Sequence, residues 1–223
     1  MNWMIYGASG YTGELIAREA KHRGLKPIFA GRSADKVAAL ATELDCECRV
    51  FGIGNPDEMA RWLQGVGLVL HCAGPFSATS APMITACLKA RAHYLDITGE
   101  ISVPGARRMI ANAKRANYLR WLLGSRPVQS FLKKTAGQLK GPNAELRASQ
   151  PTYVWGEATN ARGQKKTARI KTENGYSLTV TGSLAVIDFL TRNTPAGGSY
   201  TPATLMGADL VTRLPGSGPM TIE

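Results

Sequence analysis

Trp3-Met4-Ile5-Tyr6-Gly7-Ala8-Ser9-Gly10-Tyr11-Thr12-Gly13-Glu14-Leu15-Ile16-Ala17-Arg18 decides how this chain is read. Residues 3–6 are a short apolar run with strand character. Residues 14–20 read as a helix, and three glycines punctuate the turn between them. A strand, a glycine turn and a helix in that order make an anion-binding device. Glycine lets the backbone turn sharply and lets a phosphate approach where a Cβ would stand. The amides at the helix start, with the positive end of the helix dipole, then hold the charge. The spacing Gly-x-x-Gly-x-x-Gly is one residue looser at its front than the usual dinucleotide fingerprint. The loop alone is also compatible with an ordinary strand-to-helix turn.

The stretch that follows narrows the reading. Lys26-Pro27-Ile28-Phe29-Ala30 reads as a second strand and ends in Gly31-Arg32-Ser33. A protein that prefers NAD usually places a carboxylate there to accept from the ribose 2′-hydroxyl. Here a guanidinium and a hydroxyl stand in its place. Both suit a 2′-phosphate, and the planar fork of Arg matches phosphate oxygens. The expected cofactor is therefore NADP. Ser33 also has the look of a helix N-cap, and the two roles are compatible.

Working outward, strands and helices alternate. Residues 35–44 place Val37, Leu40, Ala41 and Leu44 on one helical face. Glu47 to Phe51 read as a third strand. Asn55 and Pro56 open another helix, with Pro at its first position. Residues 67–72 form a continuous apolar run, the pattern of a central parallel strand buried on both faces. It ends in Ala73-Gly74-Pro75-Phe76. A helix is expected from Pro82 to Arg91, a fifth strand over 93–97, and a helix from about Pro104 to Ala116. This rhythm predicts a Rossmann-type, doubly wound parallel sheet, α/β in class. Ligands of such sheets bind at the carboxyl ends of the strands. The loops 7–13, 72–76 and 96–100 should therefore line one crevice. Tyr11, Asp96 and Glu100 are the acid–base candidates by position alone, and no catalytic residue is assigned. Asp96 also reads as a residue that orients its own loop.

The 223 residues carry a net charge of +11, with 44% hydrophobic and 19% charged residues. Such a composition suits a globular protein with a sizeable core. Residues 1–110 hold 12 Lys/Arg against 10 Asp/Glu, whereas residues 111–223 hold 15 against 6. A basic second half suits anionic partners, but no nucleic-acid-binding motif accompanies the charge, so no nucleic-acid partner is expected. Residues 1–30 read as folded domain rather than as a leader. The cysteines Cys46, Cys48, Cys72 and Cys87 lack metal-ligand spacing and suggest reduced thiols in a cytoplasmic protein. No metal is expected.

The second half has a different texture. Tyr118 to Gly141 mixes apolar and basic residues, which suits a packed helical arm or contact with an anionic membrane surface. Residues 152–158 and 164–181 read as strands, with a hairpin turn at Asn174-Gly175. Leu184 to Arg192 read as a helix and residues 195–219 mostly as loop. The predicted organisation is a nucleotide-binding domain over 1–117 and a reduced α+β portion over 118–223. An exposed sheet edge or the basic arm could find a second copy of the chain.

Gly7-Ala8-Ser9-Gly10-Tyr11-Thr12-Gly13, Ala30-Gly31-Arg32-Ser33, Cys72-Ala73-Gly74-Pro75-Phe76 and Tyr94-Leu95-Asp96-Ile97-Thr98-Gly99-Glu100 together resemble the saccharopine dehydrogenase-like family. Within it the trans-acting enoyl reductase branch is the better match. The resemblance covers residues 1–116 and returns at Trp155-Gly156-Glu157, Asn174-Gly175-Tyr176 and Tyr200-Thr201-Pro202. Members are longer, and the chain reads as skipping a long middle segment between about Asn117 and Leu119. The resemblance implies an NADP-dependent oxidoreductase that delivers hydride to an enoyl or imine-like substrate, often lipid-sized. With the middle segment absent, the alternative is an NADP-binding module or remnant without turnover. The resemblance carries the cofactor role to Gly7, Ser9, Gly10, Tyr11, Thr12, Gly13, Gly31, Arg32, Ser33, Cys72, Ala73, Gly74, Pro75 and Phe76.

Overall fold

A computed structural model describes residues 1–98, 125 and 141–223. Five parallel strands, β1 (Trp3–Tyr6), β2 (Ile28–Gly31), β3 (Cys48–Val50), β4 (Leu68–His71) and β5 (His93–Asp96), lie in the order β3-β2-β1-β4-β5. The order reverses between β1 and β4, so the loops after these two strands diverge and open a crevice. Register brings Arg49, Ala30, Tyr6, His71 and Asp96 into one row near the carboxyl edge. The loops that follow β1, β2 and β4 consequently leave the sheet at one level.

Helices α1 (Tyr11–His22) and α2 (Ala34–Leu44) cover one face, and α3 (Pro56–Trp62) and α4 (Phe76–Ala90) the other. The central strands β1, β2 and β4 are buried along their whole length, as strands covered on both faces must be. Ile5, Phe29, Leu68 and Leu70 pack against Ile16, Ala17, Val37 and Leu40. Met4, Tyr6, Ala30 and Val69 pack against Met59, Leu63, Met83 and Cys87 on the opposite face. Asn55 caps α3 by accepting from the Asp57 amide at 2.8 Å, with Pro56 at its first position as the sequence predicts.

Helix α4 begins earlier than the sequence suggests. Pro82 lies inside it rather than at its start. The first turn is held by side chains: Thr79 Oγ1 donates to the Pro75 carbonyl at 3.0 Å and Ser80 Oγ to Phe76 at 2.7 Å. Phe76 is therefore the first residue of this helix and not part of a loop.

After residue 142 come α5 (Ala144–Ser149), β6 (Thr152–Thr159), β7 (Lys165–Thr172), α6 (Gly175–Arg192), α7 (Pro202–Met206), α8 (Leu210–Arg213) and β8 (Thr221–Ile222). Strands β6, β7 and β8 form an antiparallel sheet in that order. The hairpin expected at Asn174-Gly175 is absent. Asn174 instead caps α6, its side chain accepting from the Tyr176 amide at 3.1 Å. Residues 175–181 are thus helical, because Val180, Leu184 and Ile187 recur at helical spacing and bury against the parallel sheet beside α1. The tail is also more ordered than a loop: Thr201 and Thr204 form a reciprocal capping box at α7, and β8 pairs with β7.

Residues 1–97 and 143–223 form one compact unit and residues 98–142 another. The expected boundary at 117/118, the helix over 104–116, the junction near 117–119, Glu100 and, apart from residues 125 and 141, the arm over 118–141 lie outside the described residues. The four cysteines are free. No helix among the described residues is long and apolar enough to cross a membrane.

Candidate nucleotide-binding site

The glycine loop is built by close backbone approach. Gly7 has φ of +86°, a left-handed conformation open to glycine at little cost. Its amide donates to the Ala30 carbonyl at 2.7 Å, which ties the loop to the end of β2. A Cβ on Gly7 would stand 2.9 Å from the Ala73 nitrogen, so the loop after β1 also lies against the loop after β4. The glycine loop, the end of β2 and the loop after β4 are thereby brought together, whereas the expected third loop at 96–100 is described only as far as residue 98. Gly31 is buried, with room for a Cβ only 3.1 Å from Val37 Cγ2.

Helix α1 starts at Tyr11 behind Gly10, and no side chain among the described residues caps it. The first intrahelical bond runs from the Glu14 amide to Gly10 at 2.8 Å, so Thr12 and Gly13 contribute first-turn amides of the kind that receive phosphate. Gly10 is exposed and leaves the approach to these amides bare. Ser9, Tyr11 and Thr12 are half-buried around it. An uncapped helix start behind an exposed glycine fits a dinucleotide diphosphate.

Arg32 and Ser33 are exposed at the end of β2. Ser33 holds the N-cap position of α2, but its side chain makes no capping bond. Its hydroxyl is consequently not committed to the helix. Among the described residues, neither side chain is engaged in a hydrogen bond. A guanidinium and a hydroxyl thus stand together at the position expected to meet a 2′-phosphate.

The third side of the crevice is Cys72-Ala73-Gly74-Pro75, with a cis peptide between Gly74 and Pro75. Thr79 organises it from α4. Its Oγ1 donates to the Ala73 carbonyl at 2.8 Å and lies 3.0 Å from His71 Nε2. A hydroxyl has one proton, so with that proton on the loop carbonyls the oxygen accepts from His71 Nε2–H. This assigns the imidazole tautomer and leaves Nδ1 without a hydrogen-bond partner among the described residues. His71 is wholly buried among Tyr6, Phe76 and Tyr94. Desolvation pushes its pKa down to about 4, against a weaker opposing pull from Asp96. The ring is therefore neutral near pH 7.

Among the described residues of the crevice, Cys72 and Tyr94 are displaced toward their neutral forms. Burial, reinforced by the charge of Asp96, pushes the Cys72 thiol up to about 12. Burial and then the hydrogen bond to Asp96 raise the Tyr94 hydroxyl far above its usual range. Asp96 accepts from Tyr94 at 2.9 Å, consistent with a residue that orients its own surroundings. Tyr11 receives a hydrogen bond from Arg147 Nη1 at 2.8 Å and meets the Tyr176 ring edge-on, 5.0 Å between centroids. No local pattern marks Arg147, Tyr176 or Thr79 as neighbours of the site, since each is brought there by tertiary packing.

The saccharopine dehydrogenase NADP binding domain matches residues 3–122, more than half of the chain. The chain belongs to this family. NADP is accordingly its cofactor, and the glycine loop and Arg32-Ser33 both lie inside the matched stretch. The trans-acting enoyl reductase of Mycobacterium bovis is 29% identical over 105 residues, which cover 44% of this chain and 25% of that protein. A human saccharopine dehydrogenase-like oxidoreductase is 26% identical over 141 residues, 55% of this chain and 33% of that one. The chain thus spans about a quarter to a third of the length of these relatives. Among solved structures, apo saccharopine dehydrogenase (L-Glu forming) from Saccharomyces cerevisiae aligns with a TM-score of 0.40 at 13% identity, over 48% of this chain and 23% of that one.

Proposed function

We propose that the chain is an NADP-dependent oxidoreductase that passes hydride between the nicotinamide and an enoyl or imine-like substrate of small-molecule or lipid size. The observation that carries the reading is the uncapped start of α1 behind Gly7, Gly10 and Gly13, together with a cation where NAD-specific proteins place a carboxylate. In it, the first-turn amides of α1 hold the diphosphate and Arg32 with Ser33 holds the 2′-phosphate. Cys72 to Phe76 flank the nicotinamide ribose, held in place by Thr79. The cofactor supplies the hydride; the protein orients it and shapes the electrostatics around it. The names of the relatives suggest the substrate class, and no described side chain is assigned as the proton donor.

A second reading is favoured by the extent of the match. The match spans only a quarter to a third of its relatives, and the likeness covers the nucleotide-binding stretch rather than the whole of a reductase. In that reading the protein binds NADP without turnover. The two are separated by following NADPH absorbance with an α,β-unsaturated thioester and with an imine. Oxidation that depends on substrate supports the enzyme. Saturable NADPH binding with no oxidation supports the binding module.

A further inference from the structure

One peptide of the loop after β4 is held by two side chains that lie beneath it. Thr79 Oγ1 reaches two carbonyls, Ala73 at 2.8 Å and Pro75 at 3.0 Å. Pro75 already receives the amides of Ala78 at 3.1 Å and Thr79 at 3.2 Å. Ala73 receives no such amide among the described residues, so the hydroxyl matters most to the Ala73 carbonyl. His71 steers it there. Its Nε2–H, 3.0 Å from Oγ1, occupies a lone pair of the hydroxyl and turns the proton toward the loop. The peptide between Ala73 and Gly74 is planar and trans, so its N–H points opposite to its C=O. With the carbonyl turned to α4, the Gly74 amide is turned away from that helix. Gly74 is exposed, and among the described residues its amide makes no hydrogen bond. Ala73 lies against the glycine loop, since a Cβ on Gly7 would stand 3.0 Å from Ala73 Cβ. An uncommitted backbone donor is thus presented beside the phosphate-binding turn. Its place in the sheet says which end of a dinucleotide it meets. Strands β2 and β4 flank β1 on opposite sides. With the diphosphate on the turn after β1 and the 2′-phosphate end over β2, the nicotinamide end lies over β4.

We propose that Thr79 and His71 are positioning residues that aim the Gly74 amide at the bound cofactor, where it donates to an oxygen of the nicotinamide half. This rests on the NADP reading above and deepens it. Arg32 selects at the adenosine end; the Gly74 amide, set by side chains beneath its loop, holds the other end. Thr79 acts through the Ala73 carbonyl, and His71 acts through Thr79.

The test is a titration of the full chain with NADPH and with adenosine 2′,5′-bisphosphate, which lacks the nicotinamide half. Wild type is compared with Thr79→Val, Thr79→Ser and His71→Phe, each checked for folding by circular dichroism. Thr79→Val keeps the shape of the side chain and removes the hydroxyl. It should weaken NADPH by roughly two- to tenfold, the worth of one neutral hydrogen bond, and leave the bisphosphate unchanged. Thr79→Ser should restore NADPH binding. His71→Phe removes the donor that steers the hydroxyl and should also lose affinity for NADPH alone; it carries the test where Thr79→Val does not fold. Unchanged NADPH affinity in the variant that carries the test overturns the proposal. A folded Thr79→Ser protein that binds NADPH as weakly as Thr79→Val overturns it as well. Equal loss for both ligands does the same, because that marks a structural role. A wild-type protein that binds neither ligand removes the NADP reading itself, and the proposal with it.

Discussion

A Cβ at position 13 would stand 2.2 Å from the carbonyl oxygen of Gly7 and 2.9 Å from its carbonyl carbon. Helix α1 can rest against the turn after β1 because position 13 carries no side chain. Gly10 is different. A Cβ there would meet Gly7 O at 3.2 Å, and the backbone at φ −82°, ψ 161° suits any residue. One glycine is required by the packing of the fold, whereas the other leaves the phosphate approach open.

Gly13→Ala should therefore destabilise the protein, at the upper end of the ~1–3 kcal/mol typical of overpacked interiors. Gly10→Val should unfold close to the wild-type temperature and yet lose NADPH. Thermal unfolding and NADPH titration of both variants check the contrast. A Gly10→Val protein that binds normally would remove the phosphate from this loop.

His71 should make stability fall in mild acid. Its pKa in the folded protein, about 4, lies below the ordinary value of 6.5. The unfolded chain thus binds a proton that the folded chain refuses. The stability owed to the neutral buried ring is fully present above pH 6.5 and is lost as the pH falls toward 4, on the order of 3 kcal/mol in all. His71→Phe keeps an aromatic ring in the site and cannot titrate. Unfolding temperatures measured between pH 7 and pH 4.5 should fall less steeply for this variant than for wild type. Parallel curves would show that His71 does not carry the effect.

Leu184 ties α6 to the core of the parallel sheet, and it is buried with Val180 and Ile187 against β1, β4 and α1. Leu184→Ala should cost ~2–5 kcal/mol, as expected for a large side chain removed from a packed interior. Denaturant unfolding followed by both circular dichroism and Trp fluorescence should shift as one transition. A shift confined to one probe would mean that α6 and the parallel sheet unfold separately.

The parallel sheet was legible in sequence because each of its elements carries its own local signal. Residues 67–72 are apolar throughout, α2 repeats at helical spacing, and Asn55-Pro56 announces α3. The start of α6 was not legible for an equally physical reason. Tyr176, Leu178 and Val180 alternate with Ser177, Thr179 and Thr181, which is the period of a strand, and Asn174-Gly175 has the chemistry of a hairpin turn. Burial of Val180, Leu184 and Ile187 against the sheet outweighs both signals. The glycine loop and Arg32 could be placed in advance since a motif fixes them. Thr79 beneath the 72–75 loop and Arg147 on Tyr11 could not, because no local pattern records a contact made by tertiary packing.

The measurement that bears most directly on the account is a fluorescence titration with NADPH and NADH of the wild-type chain and of Arg32→Asp. The account predicts tighter binding of NADPH by wild type. It also predicts that Arg32→Asp loses about ten- to a hundredfold of NADPH affinity, the worth of one charge-assisted phosphate contact, with little change for NADH. Equal affinities in wild type, or equal losses for the two nucleotides in the variant, would contradict the assignment of Arg32 to the 2′-phosphate.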